Sequence, residues 1–355
     1  MRNKSHYEEA SYGPAPASRP PVMNSVLKYL DRYIGLMALV ILLAVVFPVQ
    51  GEGAAMLGLT ADIGIICLFF LYGARLSPEE ALDGLKNWKL QMAVLLSTFV
   101  LFPVLGLVFK GALVAFLPAT LISGILYLCV LPSTVQSSIA FTSIARGNIP
   151  AALCAASASN IVGVFISPLL AGWLISVQDA SISFDVFRDI LLQLFAPFVL
   201  GQLLRPKVGA WMRANKKMLS YADRGVILLI IYVAFSKGMA ENVWAQIELG
   251  HLAILAAVLC VLLALVLFIT RLIGSRVMTL RVEDEIVLQF CGSKKSLASG
   301  MPMAKVLFAG SQLSLIILPL MLFHQLQLIV CAVLARHYSG RVPDRATGAA
   351  DRCRL

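Results

Sequence analysis

Two adjacent lysines, Lys294 and Lys295, stand in the run Gln289-Phe290-Cys291-Gly292-Ser293-Lys294-Lys295-Ser296-Leu297-Ala298-Ser299-Gly300, between the apolar Ile286-Val287-Leu288 and Met301-Pro302-Met303. An ammonium at the centre of a bilayer costs at least ~2.5–3.5 kcal/mol on the gentlest insertion scale, so such a group is expected to face a protein interior or water and to act there. Helical neighbours point about 100° apart, so one lysine faces a cavity while the other snorkels or pairs elsewhere, and Lys294 is the choice for the cavity. Its ammonium can attract an anionic substrate, carry a proton, or stand in permanently for a bound Na⁺. Ser293 and Ser296 flank the pair with hydroxyls. The plainer alternative is a loop between two ordinary helices.

A second polar cluster lies half a chain earlier, Leu131-Pro132-Ser133-Thr134-Val135-Gln136-Ser137-Ser138. Pro132 removes a backbone donor and frees carbonyls. Beside Gln136, the hydroxyls of Ser133, Thr134, Ser137 and Ser138 can either re-satisfy that backbone or coordinate a small ion or anion; ordinary helix packing is the competing reading. Ser157, Ser159 and Asn160 follow in a stretch of small residues that lets helices approach closely. An amide in hydrocarbon wants partners, which makes Asn160 a candidate for the wall of a site. His324, Gln325 and Gln327 are expected to form an interhelical hydrogen-bond cluster, and Asp62 to cap an outer helix end or meet solvent. Neither H-e-x-x-H nor G-x-S-x-G occurs, and the chain is not expected to be an enzyme.

These residues need elements to hold them. Of the 355 residues, 59% are apolar and 14% charged, and the apolar ones come in blocks of about 20, the length that crosses a ~30 Å hydrocarbon core as a helix. The fold class is therefore an all-α polytopic membrane protein, and the lipid bilayer is its first partner. Ten spans are expected, near 33–48, 59–76, 90–109, 121–144, 151–177, 187–204, 222–239, 251–273, 285–308 and 313–335. With both termini cytoplasmic, 23 of the 29 Lys and Arg fall on the inner side and four on the outer, as the positive-inside rule requires. The net charge of +10 is accounted for by these basic loops, with no nucleic acid as partner. The seven cysteines share no metal-ligand spacing, and no disulfide framework is expected.

The ninth segment has too few apolar residues before Lys294 for a continuous crossing, yet dropping it would put the Arg-rich carboxyl terminus on the wrong face. Two half-helices meeting in a protein-lined cavity reconcile both facts. The fourth segment is interrupted at the corresponding place. Since five is odd, the second half is inverted relative to the first. The expected division is a disordered cytoplasmic tail 1–27, a first five-helix repeat 28–178, a second inverted five-helix repeat 179–337, and a basic cytoplasmic tail 338–355, with discontinuous helices 4 and 9.

Leu131-Pro132-Ser133-Thr134-Val135-Gln136-Ser137-Ser138-Ile139-Ala140-Phe141-Thr142, Ala145-Arg146-Gly147-Asn148 and Ser167-Pro168-Leu169-Leu170 together resemble the bile acid:sodium symporter family. Phe290-Cys291-Gly292-Ser293-Lys294-Lys295-Ser296-Leu297-Ala298 and Phe323-His324-Gln325-Leu326-Gln327 are similar to its outlying "member 7"-like branch, which includes bacterial YfeH-like proteins. The resemblance covers about 30–338. It implies helices 4 and 9 crossing at the site, and a panel domain (spans 1, 2, 6 and 7) moving against a core domain (spans 3–5 and 8–10). In sodium-coupled members an acid of the ninth helix helps hold Na⁺; Phe290 stands at its position, Lys294 replaces a neutral amide, Ser138 matches a coordinating hydroxyl, and Ile139 replaces an amide. No cofactor is expected, and the departure weighs against Na⁺ coupling. The function expected is a secondary-active transporter of a small organic anion in the bacterial inner membrane. The alternative is a membrane regulator of cellular calcium influx acting through partner proteins.

Overall fold

A computed structural model describes residues 21–75, 87–175, 188, 191–308 and 312–339. Among them every regular element is helical. Long apolar runs leave little choice, because in hydrocarbon each backbone N–H and C=O must be satisfied within its own segment. α1 (Pro21–Val46) and α2 (Gly51–Arg75) are followed by α3 (Trp88–Leu113), which contains a π turn at Ser97–Leu101. Then come α4 (Ala119–Val130), α5 (Gln136–Ile144) and α6 (Ile149–Ile175). The second half holds α7 (191–214, opening on a π turn), α8 (Lys216–Ala240), α9 (Leu249–Val277), α10 (Val282–Gly292), α11 (Leu297–Leu307) and α12 (Leu313–Ser339).

Six of these (α2, α3, α6, α9 and α12 in full, and α8 from Lys217) are long and apolar enough to cross a bilayer. Their outward faces carry large apolar side chains, such as Met56 and Trp173, each 72% exposed. In water such a surface would be an aggregation hazard; facing lipid tails it needs no cover. The chain is a polytopic membrane protein.

Four helices are short. α4, α5, α10 and α11 have 12, 9, 11 and 11 residues, so at 1.5 Å per residue each reaches about half of a ~30 Å core. α4 stops at Pro132 and α5 starts at Gln136; α10 stops at Ser293 and α11 starts after Ser296. The order of three long helices, one broken helix and one long helix occurs twice.

Two boundaries differ from expectation. α1 starts at Pro21, within the segment 1–27 expected to be a disordered tail; proline is favoured at the first helical position, where its missing N–H leaves no gap. The basic stretch 205–224, expected as a loop, is helical except at Asn215, since Lys and Arg are good helix formers and can ride a helix out of the membrane. Tail residues 1–20 and 340–355 lie outside the described residues.

α1, α2, α7 and α8 pack on one another, and the broadest helix contact is between α2 and α7. There Gly73 faces the backbone of Phe198 and Gly201 faces that of Phe70, so closely that neither site has room for a Cβ. The bidentate Arg75–Asp223 pair, with its shorter bond 2.5 Å, adds a tie between α2 and α8. Asp62 neither caps nor ends a helix: it lies mid-way along α2 and pairs with Lys305 of α11, joining this group to the helices around the breaks. Gly201→Val is expected to destabilise by about 1–3 kcal/mol or more by forcing α2 and α7 apart. It should lower the thermal unfolding midpoint in detergent, whereas Gly250→Ala, at a site open to its surroundings, leaves the midpoint in place.

Candidate functional site

The two breaks meet, and their backbones satisfy each other. Ending α4 strands carbonyls that would have bonded the next helical turn. The amide of Ser296 donates to the carbonyl of Pro132 (2.8 Å), a direct bond from the second break to the first. Ser167 Oγ donates to the carbonyl of Val130 (2.7 Å), and Asn160 Nδ2 to that of Ser133 (2.8 Å). The Ser133 amide goes to Ser159 Oγ at 3.0 Å. Asn160 also accepts from Ser299 Oγ at 2.8 Å, so one amide bridges both breaks. Gly163 of α6 lies under Pro132, where a Cβ would approach its Cβ to 2.6 Å, and this lets α6 carry Asn160 and Ser167 close enough to act.

Lys295 supplies the rest. Its Nζ donates to the carbonyls of Thr98 (2.8 Å), Cys129 (2.7 Å) and Leu131 (2.7 Å), one for each N–H of the ammonium. The Phe102 ring stands 4.1 Å away. The Thr98 carbonyl is free because of the π turn: the Phe102 amide bonds Ser97 instead, and the residue that would follow in a π pattern, Pro103, has no N–H. On its own backbone Lys295 is held by Gln327, whose Oε1 accepts from its N–H and whose Nε2 donates to its C=O, both at 2.9 Å. His324 Nδ1 lies 2.9 Å from the same Nε2.

Lys294 has none of this. It is wholly buried, and its Nζ has no hydrogen-bond partner among the described residues. It lies 4.0 Å from the centre of the Phe141 ring and 5.2 Å from that of Phe290. A desolvated cation–π contact is worth about 2 kcal/mol, less than the several kcal/mol lost by burying a bare ammonium. Neither lysine forms an ion pair with a carboxylate among the described residues.

The remaining residues divide. Ser138 Oγ donates to the carbonyl of Phe290 (3.2 Å), across from break to helix end, and Thr134 Oγ1 links to Ser137 (2.7 Å) and Ser138 (3.1 Å). Ser293 Oγ caps back to Gln289, and Ser296 Oγ accepts from the amide of Ser299 as the N-cap of α11. Ser133 is buried at the crossing with an unpartnered hydroxyl. Ser157 is buried on α6, one turn before Asn160, and bonds to neither break; Gln136 is exposed at the start of α5. Thr98, Phe102 and Pro103 escaped sequence reading, although a proline five residues after a threonine in an apolar run was the available signal.

The Ala145-Arg146-Gly147-Asn148 turn, where Arg146 has φ +60°, docks α5 on α10: the Asn148 amide donates to the carbonyl of Glu283 (3.1 Å), and its side chain to Asp284 (2.8 Å). The Na⁺ implied by the resemblance does not fit these residues. Phe290, at the position of the expected acid, is fully buried against Phe141 and Tyr338. Among the described residues no three acids, histidines or cysteines gather as metal ligands.

A many-spanning helical protein in which two broken helices meet around buried cations has the construction of a membrane transporter. The chain belongs to the SBF-like CPA transporter family, whose profile matches residues 31–340. It is 47% identical over 322 residues to the uncharacterised protein PA2026 of Pseudomonas aeruginosa, covering 90% of this chain and 96% of that one. It is 45% identical over 313 residues to YfeH of Escherichia coli K12, named as a candidate symporter, covering 88% and 94%. To the sodium/bile acid cotransporter 7 of Xenopus tropicalis it is 28% identical over 277 residues, covering 77% and 80%.

Gln327→Leu is expected to leave the N–H and C=O of Lys295 unpaired in a buried place, at about 1–3 kcal/mol each. Gln327→Glu keeps the acceptor and loses the donor, so its unfolding midpoint should fall between those of Gln327→Leu and the unsubstituted protein.

Proposed function

We propose that this protein is a secondary-active transporter that moves a small organic anion across the bacterial inner membrane by alternating access, with Lys294 as the fixed positive charge of the site. The ten spans form two inverted five-helix repeats, 28–178 and 179–337, with both termini cytoplasmic; α4–α5 and α10–α11 are the discontinuous fourth and ninth spans. α1, α2, α7 and α8 form the panel, and the remaining helices the core. The family and the repeated helix order support this reading. The observation that carries it is the contrast within the lysine pair: Lys295 is saturated by carbonyls, whereas Lys294 is equally buried and has no partner for its charge. A carboxylate, sulfonate or similar anion beside Lys294 would satisfy that ammonium, and the N-termini of α5 and α11 lie close by at the crossing. The hydroxyl of Ser133 is a further donor, with Thr134, Ser137 and Ser138 around it, and Asn160 forms the wall.

The test is a thermal-shift screen of organic anions on the purified protein, with and without Na⁺, followed by uptake of the best anion into proteoliposomes. One anion class should raise the unfolding midpoint whether or not Na⁺ is present, and Lys294→Gln should abolish that rise. Stabilisation that survives Lys294→Gln removes Lys294 from the site. No flux of any stabilising anion would return the chain to the regulatory reading.

A further inference from the structure

We propose that Lys295 is the permanent occupant of a monovalent-cation cage, a covalently tethered ion that holds the crossing together in place of a dissociable one. The inference is independent of the anion reading, since it concerns the other lysine and a separate set of ligands.

The donor set is the first argument. The ligands around Nζ are three main-chain carbonyls, from Thr98, Cys129 and Leu131, at 2.7–2.8 Å. Carbonyls replacing a hydration shell are how proteins coordinate bare monovalent ions at membrane depth. Without a carboxylate the set is neutral, which suits a single positive charge; a divalent ion would call for anionic ligands. All three carbonyls were freed by irregular backbone: Thr98 by the π turn and Pro103, Cys129 and Leu131 by the end of α4 at Pro132. They also lie at the negative end of the α4 dipole, and the Phe102 face covers the charge at 4.1 Å.

The second argument is that the cage belongs to the backbone. No side-chain substitution at the lysine removes the carbonyls. Without the ammonium, three buried acceptors from α3 and the α4 break would converge with nothing between them, and each buried acceptor left unpaired is costly. A small cation entering that space would restore all three interactions together. In the unsubstituted protein this cation cannot leave, so no ion gradient is drawn on at this place.

The experiment compares unsubstituted protein, Lys295→Ala and Lys294→Ala, purified full-length in detergent. Unfolding midpoints are measured in choline chloride and in NaCl, KCl and methylammonium chloride at equal ionic strength. Lys295→Ala should start lower and regain about 5 °C with at least one of the small cations, saturably, while the other two proteins move by about 1 °C or less. A Lys295→Ala response no larger than that of the unsubstituted protein overturns the proposal, as does an equal response from Lys294→Ala. Should Lys295→Ala be recoverable only when prepared in a small-cation buffer, that dependence supports the cage. Should it be recoverable in none, Lys295→Met decides: it fills the space without charge, and stability equal to the unsubstituted protein would overturn the proposal, whereas a lower, cation-indifferent midpoint supports it.

Discussion

Hydrocarbon offers no hydrogen bonds, and the whole structure depends on how it meets that constraint at the two places where helices stop inside it. Ending α4 releases carbonyls from Cys129 to Ser133. The partners found for them come from α6, through Ser167 and Asn160, and from the opposite break, through the Ser296 amide and the Lys295 ammonium. The second break is closed in turn by Gln327 of α12 and by Ser138 of α5. Each interruption therefore needs the other. This interdependence turns two weak points into a shared joint, and α3, α6 and α12 are fixed around it by the bonds they contribute.

The outline of this joint was legible in the sequence because it is written in residues that hydrocarbon tolerates badly. Pro132 marked the first stop, and Gly292 and the lysine pair marked the second, at matching offsets in the two halves. Asn160 was legible for the same reason: an amide among alanines must have partners, and it has them in both breaks. What could not be read was which carbonyls the lysines would meet. That depends on the π turn in α3, where a shift of one residue in the hydrogen-bond pattern redirects the Thr98 carbonyl. Periodicity does not register such a shift. Helix ends carrying Lys and Arg were also hard to place, since 205–214 is hydrophilic yet helical. Asp62 looked terminal only because its partner, Lys305, is 243 residues away.

Adjacent identical residues have opposite circumstances here. Ser293 ends α10 with helical dihedrals, and by Ser296 the chain is extended, so successive side chains diverge. Lys295 turns toward the end of α4 and is saturated. Lys294 turns toward Phe141 and Phe290, whose rings give it attraction without a hydrogen bond. A single lysine could not both close the backbone and remain available, and the doubling separates structural charge from available charge. Phe290 helps in this: its ring contributes to the lining of Lys294, while its carbonyl, taken by Ser138, contributes to the joint.

The contact between Asp62 and Lys305 is of another kind. The aspartate side chain is 43% exposed and the lysine side chain 13%, so solvent screens the pair, and such pairs are commonly worth ~1 kcal/mol or less. Thermal agitation suffices to undo a latch of that strength, and the helix groups it joins meet there without sharing a buried joint like the one at the crossing. Stiffness is concentrated in the middle of the molecule and compliance at its rim, so a rocking movement of α2 against α11 would start at this pair and leave the centre unchanged.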